Sequence, residues 1–142
     1  MYRTTTMTEL DRSIKRILEE AKTIAVVGYS PKPSRTSHNI ANYLKRVGYT
    51  VIPVNPTVDE IEDQKSYPTV ADIPQKVDIV NVFRRPEHLA GIVEESIAIH
   101  AGTVWGQLGV YSEVASMLAY DSGLQVVMDR CIQTEYARLI MN

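Results

Sequence analysis

The chain has 142 residues, 44% of them apolar and 23% charged, with a net charge of −2. That length suits one domain with one core, and the composition excludes a disordered chain. No apolar run approaches the ~20 residues that cross a bilayer, and so small a net charge gives no general attraction to nucleic acid or anionic lipid.

The amino-terminal stretch MYRTTTMTEL lacks the apolar core of a secretory signal, so the expected location is cytoplasmic. In the segment that follows, Leu10, Ile14, Ile17, Leu18 and Ala21 recur at helical spacing between charged residues. This predicts an amphipathic helix with Thr8 as its N-cap. Five short apolar runs come next: TIAVVGY from Thr23, TVIPVNP from Thr50, VDIVNVF from Val77, the weaker GTVWGQLG from Gly102, and LQVVMD from Leu124. Continuous apolar runs are the mark of buried parallel strands. Helical patterns lie between them: Ser37 to Val47, stopped at Gly48; Pro86 to Gly102; Ser112, as a cap, to Gly123. A last helix is read in TEYARLIMN. Residues 57–76 break the alternation and read as a polar surface stretch with one short helical turn.

Strands alternating with helices predict right-handed βαβ crossovers. The expected architecture is α/β: a Rossmann-like, doubly wound parallel sheet of about five strands in the order 3-2-1-4-5, with helices on both faces. A single domain over residues 1–142 is expected, with the helix of residues 1–22 packed on it. In such a sheet ligands bind beyond the carboxyl ends of the strands, where the strand order reverses.

The residues that follow the strands are Gly28 to Arg35, Asn55 and Pro56, Phe83 to Pro86, Gln107 to Gly109, and Asp129 to Cys131. Against the dinucleotide fingerprint G-x-G-x-x-G, the second and third positions after Gly28 are Ser30 and Pro33, and Asn55 stands where an acid would read the ribose of NAD. No P-loop can be drawn either. The loop still has the chemistry of a phosphate site. It feeds a helix start, and it carries hydroxyls at Ser30, Ser34, Thr36 and Ser37 and cations at Lys32 and Arg35. Pro31 and Pro33 restrict it. A solvated turn is the alternative for this loop taken alone. Arg84 and Arg85 add guanidinium groups suited to a second anion site, although one of them could instead pair with Glu87 or cover the sheet edge. Tyr29 is a candidate for stacking on an adenine.

The ordered set IAVVGYSPKPSRTSHNIANYLKRVGYTVIPVNP, YPTVADIPQKVDIVNVFRRPE, VWGQLGV and GLQVVMDRCIQTEYARL resembles the small stand-alone CoA-binding domain proteins over roughly residues 10–140. Their Rossmann-like fold is shared with the nucleotide-binding domains of the succinyl-CoA synthetase α subunit and of NDP-forming acyl-CoA synthetases. The resemblance implies CoA, or an acyl-CoA, as the ligand. It implies that Gly28, Tyr29, Ser30 and Arg35, with the helix start, cradle its phosphates. Val54, Asn55 and Pro56 would lie beside the nucleotide. Phe83, Arg84 and Arg85, Gln107 and Gly109, and Met128 to Cys131 would complete the pocket. Two positions depart from the family. Gly106 stands where many relatives carry a larger apolar residue, which would loosen the wall, and Tyr136 stands where relatives often have His.

No catalytic set is evident. His38, His88 and His100 have no nucleophile at recognisable spacing and read as surface or helix-end residues. Cys131 follows Arg130 near a helix start, and both features favour a thiolate; a packed structural cysteine is the competing reading. The sequence therefore predicts a ligand-binding protein rather than an enzyme. The alternative is a nucleotide-binding component of an acyl-CoA synthetase or transferase acting with a partner chain. Self-association is left open. An NAD(P)-dependent reductase is a third reading, opposed by Ser30, Pro33 and Asn55.

Overall fold

The computed structural model describes residues 7–141. Residues 1–6 and 142, included in the single-domain reading and the amino-terminal expectation, lie outside the described residues. Helix α1 (Glu9–Glu20) starts as expected, with the backbone N–H of Asp11 donating to Thr8 Oγ1 at 3.0 Å. It buries Ile14, Ile17 and Leu18 but leaves Leu10 half exposed. Strands β1 (Thr23–Val27), β2 (Thr50–Val54), β3 (Ile79–Val82), β4 (Thr103–Gly106) and β5 (Gln125–Val127) form one parallel sheet. Helices α2 (Thr36–Arg46), α3 (Leu89–Ala98), α4 (Glu113–Ser122) and α5 (Ile132–Leu139) alternate with them. The α/β, Rossmann-like reading is borne out. Among the described residues no helix is long and apolar enough to cross a membrane.

The spatial order is β2-β1-β3-β4-β5, which corrects the expected 3-2-1-4-5. The third strand lies beside the first, not beyond the second. Pro53 supplies the physical reason. Its carbonyl accepts the Tyr67 N–H at 3.0 Å on the side away from β1, so its nitrogen, which has no hydrogen to donate, faces outward as well. A proline at such a position belongs to an edge strand. Every residue of β3, by contrast, is buried, as a central strand requires. The order therefore reverses between β1 and β3, which moves the expected ligand crevice to that point.

Strand side chains alternate between two cores. Ala25, Val27, Ile52, Val54, Val80, Val82 and Val104 face α3 and α4. Ile24, Val26, Val51, Ile79 and Trp105 face α1, α2 and α5. Residues 57–76 are more than a surface stretch. They hold a hairpin of Glu60–Ile61 and Gln64–Lys65 and a short 3-10 turn at Val70–Asp72, and they bury Ile61, Val70 and Ile73. The last helix begins at Ile132, earlier than expected, with Cys131 as its N-cap residue.

Gly106 tightens the wall that it was expected to loosen. A Cβ at this position would stand 2.4 Å from the Val110 carbonyl oxygen, so the absent side chain lets the loop after β4 fold back onto the strand. Gly106→Ala therefore forces backbone apart and is expected to cost roughly 1–3 kcal/mol. A urea midpoint equal to that of the unaltered protein would contradict this close approach.

Helices α1 and α5 are joined by a line of charges. Glu135, whose side chain is 6% exposed, accepts from Arg130 at 2.6 Å and from Arg138 at 2.8 Å, and Arg138 reaches Asp11 on α1 at 2.7 Å. The Arg138 hydrogen bonds, foremost, hold both carboxyls below their ordinary range. A carboxyl depressed on folding stabilises fully above its unfolded pKa of about 4, and that contribution is lost as pH falls through the folded value. Glu135→Gln is thus expected to destabilise the protein at neutral pH and to shrink the loss of stability on acidification below about pH 4.5. Parallel acid limbs in urea titrations of the two proteins would exclude a titrating Glu135.

Candidate functional site

At the carboxyl end of β1 the chain turns at Gly28, with φ +88°. A Cβ there would sit 3.3 Å from Phe83 Cβ, so the left-handed conformation calls for glycine and the space beside Phe83 is tight for anything larger. The loop that follows is fastened by three residues, Asn55 after β2 and Ser37 and His38 on α2. Asn55 Nδ2 donates to the Tyr29 carbonyl at 2.9 Å, the Ser30 N–H donates to Ser37 Oγ at 3.0 Å, and His38 Nδ1 lies 2.8 Å from the Ser30 carbonyl. Asn55 Oδ1 is itself held by the backbone and hydroxyl of Thr57. The loop is therefore shaped before any ligand arrives.

Helix α2 begins at Thr36 with no side chain capping its amino end and no acid in its first turn, which leaves positive dipole and free N–H groups at the loop. Lys32, Arg35, Thr36, Arg85 and Pro56 are exposed. Lys32, Arg35 and Arg85 make no ion pair among the described residues. Arg84 is half-buried and donates to His88 Nε2 at 3.3 Å, not to Glu87. It lines a cleft of about 290 Å³ with Val27, Val54, Pro56, Thr69 and His88. The cleft opens beyond β1, β2 and β3, at the reversal of strand order.

Several expected site residues turn inward. Tyr29 is wholly buried, its hydroxyl accepting from Lys45 Nζ at 3.1 Å. The expectation that it stacks on an adenine is corrected: its ring packs in the core below the loop. The Ser37 hydroxyl is occupied by Ser30, and Ser30 Oγ accepts the Lys32 N–H at 3.1 Å. Phe83 packs against the core beneath Gly28. Gln107 is buried too, its Oε1 accepting from Asn81 Nδ2 at 3.0 Å and from the Ile132 N–H at 2.9 Å. It joins β3, β4 and α5 instead of facing the rim. Gly109 takes φ +81° and donates its N–H to Asp129 Oδ1 at 2.7 Å.

Beyond β4 and β5 lies a second cleft of about 400 Å³, lined by Leu108, Met128, Asp129, Arg130, Cys131 and Thr134. Burial raises the Cys131 thiol pKa, but donors from the Thr134 backbone and hydroxyl, Gln107 and the Gln133 backbone outweigh it, and the thiol lies below its ordinary range. Arg130, expected to contribute, instead pairs with Glu135. Among the described residues no group of three or more His, Cys, Asp or Glu could hold a metal ion.

Sequence reasoning passed over His38, read there as a surface or helix-end residue. It is 2% exposed and also meets Glu62 Oε2 through Nε2 at 2.9 Å. Its spacing of three residues from Ala41, on the buried face of α2, was the available signal.

The CoA binding domain family matches residues 22–137. The chain belongs to this family. It is 44% identical to the YneT protein of Bacillus subtilis over 124 residues, covering 87% of this chain and 92% of that protein. A solved structure of a protein from Pyrococcus horikoshii superposes with a TM-score of 0.89 at 40% identity, covering 99% of each chain. The ADP-forming acetate–CoA ligase II of Archaeoglobus fulgidus is 40% identical over 60 residues, which span 41% of this chain and only 9% of that ligase. The CoA-binding fold is thus related to one domain of ADP-forming acyl-CoA synthetases.

Within this member of the family, Cys131 offers a direct check on the second cleft. Its alkylation by iodoacetamide is expected to reach half-maximal rate below about pH 8.5, the value for a free thiol. Thr134→Val should move that midpoint upward by removing the hydroxyl donor. An unchanged midpoint would show that the hydroxyl does not support the thiolate.

Proposed function

We propose that this protein binds CoA or an acyl-CoA across the carboxyl ends of its strands. The observation that carries the reading is the pair Lys32 and Arg35, without ion pairs among the described residues, at the uncapped start of α2, with exposed Arg85 after β3 and Arg84 lining the cleft there. A ligand with several phosphate groups meets charge-assisted donors there, on a loop already held in shape. The cleft is at the small end of ligand pockets, near 300 Å³. An elongated ligand would therefore fill it with one end and lie across the rim with the remainder. Membership of the CoA binding domain family supports the choice of CoA among polyphosphate ligands. Gly28, Ser30, Lys32, Arg35, Thr36, Asn55, Pro56, Arg84 and Arg85 form the proposed contact set. Tyr29, Ser37 and Phe83 shape it from below, while Cys131 lines the second cleft, where Gln107 and Gly109 hydrogen-bond to Cys131 and Asp129.

A second reading is a nucleotide-binding component that works with a synthetase-type partner. It is favoured by the match to a small part of a much longer ADP-forming ligase. A larger protein retained with this chain during purification, and acyl-CoA synthesis by the pair, would support it.

Calorimetric titration of ligand-stripped protein with CoA, dephospho-CoA and NAD separates the ligand readings. CoA is expected to bind, and removal of its 3′-phosphate or the change Arg35→Ala should each weaken binding by about tenfold. Binding of NAD with no heat from CoA would sink the proposal.

A further inference from the structure

A carbonyl oxygen and an ionised carboxylate can only accept hydrogen bonds, and His38 stands between one of each. Nδ1 lies 2.8 Å from the Ser30 carbonyl oxygen and Nε2 2.9 Å from Glu62 Oε2. Satisfying both contacts takes a hydrogen on each ring nitrogen, which makes the ring an imidazolium. The side chain is 3% exposed, so bulk water cannot replace a lost partner.

The surroundings favour that state. Burial opposes charge on Glu62, but the hydrogen bonds and charges of His38 and Lys45 outweigh it and hold the carboxyl below its ordinary range. Lys45 Nζ stands 3.5 Å from Glu62 Oε1 and 3.1 Å from the Tyr29 hydroxyl, and the Tyr29 ring meets His38 edge-on at 5.6 Å. Glu62 and Asp63 form the tip of the hairpin with φ of 49° and 65°, a conformation that non-glycine residues disfavour and that tertiary contacts must hold. The His38 contact is one such tie.

We propose that His38, as an imidazolium, is the positioning residue of the phosphate loop, fastening Ser30 to the hairpin tip so that ligand affinity falls when the ring loses its proton. This rests on the loop's being the CoA phosphate site. A neutral ring carries one hydrogen, so either the Ser30 carbonyl or Glu62 then faces a lone pair and is released. Either the loop keeps only its ties to Ser37 and Asn55, or it stays tied to a ring no longer anchored to the hairpin, and in both cases the positive charge beneath it is gone.

The test is the CoA affinity of the full chain and of Glu62→Gln, by calorimetry from about pH 5.5 to pH 8.5, with nitrogen NMR of the histidine rings. In Glu62→Gln the amide can donate to a neutral Nε2, which preserves the bridge without the charge. Ionisation of the ligand's own phosphate near pH 6 affects both proteins alike. The ratio of wild-type to variant affinity is expected to be about tenfold higher where the ring is an imidazolium than where it is neutral. His38, identified through the signals missing from His38→Gln, should carry two ring hydrogens wherever that ratio is high and one wherever it is low. If both proteins bind CoA at a constant ratio, or His38 is neutral throughout, the positioning role is overturned and the ligand reading stands. If neither protein binds CoA at any pH, the ligand reading fails and this inference fails with it.

Discussion

The left-handed turn at Gly28 is the constraint on which the rest of the site depends. It lets the chain leave β1 directly under Phe83 while its N–H still donates to the Val54 carbonyl at 2.9 Å. Any side chain there would push against the end of β3, the strand that lies beside β1 and defines the crevice. Because the turn is tight, the loop that follows comes within reach of Asn55 on one side and of Ser37 and His38 on the other. The cations of the rim are carried on a frame whose order comes from hydrogen bonds within the protein.

Much of this frame is legible in the sequence. The apolar runs mark all five strands because a parallel sheet covered on both faces leaves no polar side to blur the pattern. Caps mark the starts of α1 and α4, where Thr8 and Ser112 accept backbone hydrogen bonds. The strand order was also present, in Pro53, whose outward-facing nitrogen belongs at an edge. Composition and periodicity give that proline no special weight.

What stayed hidden is the direction in which polar side chains point. Gln107 and Tyr29 follow strands, as site residues do, yet a single turn of backbone carries each inward to a buried partner. His38 went the other way: its partners, Ser30 and Glu62, lie eight and twenty-four residues away, and such a pairing exists only once the hairpin has docked. Gly106 shows the same limit for packing. Its close approach is to backbone of the returning loop, which no pattern of side chains records.

The outer side of β2 has a consequence for behaviour at high concentration. The Val51 carbonyl is taken by the Gln64 amide, the Pro53 carbonyl by the Tyr67 N–H, and the Asn55 N–H by the Tyr67 carbonyl. Pro53 itself offers no donor. A foreign strand approaching this margin finds its ladder positions filled or missing, so the margin does not template sheet-to-sheet aggregation. The opposite margin, β5, has three residues and gives an intruder little length to pair with. The proline that marks this strand as an edge also denies a foreign strand one hydrogen-bond donor.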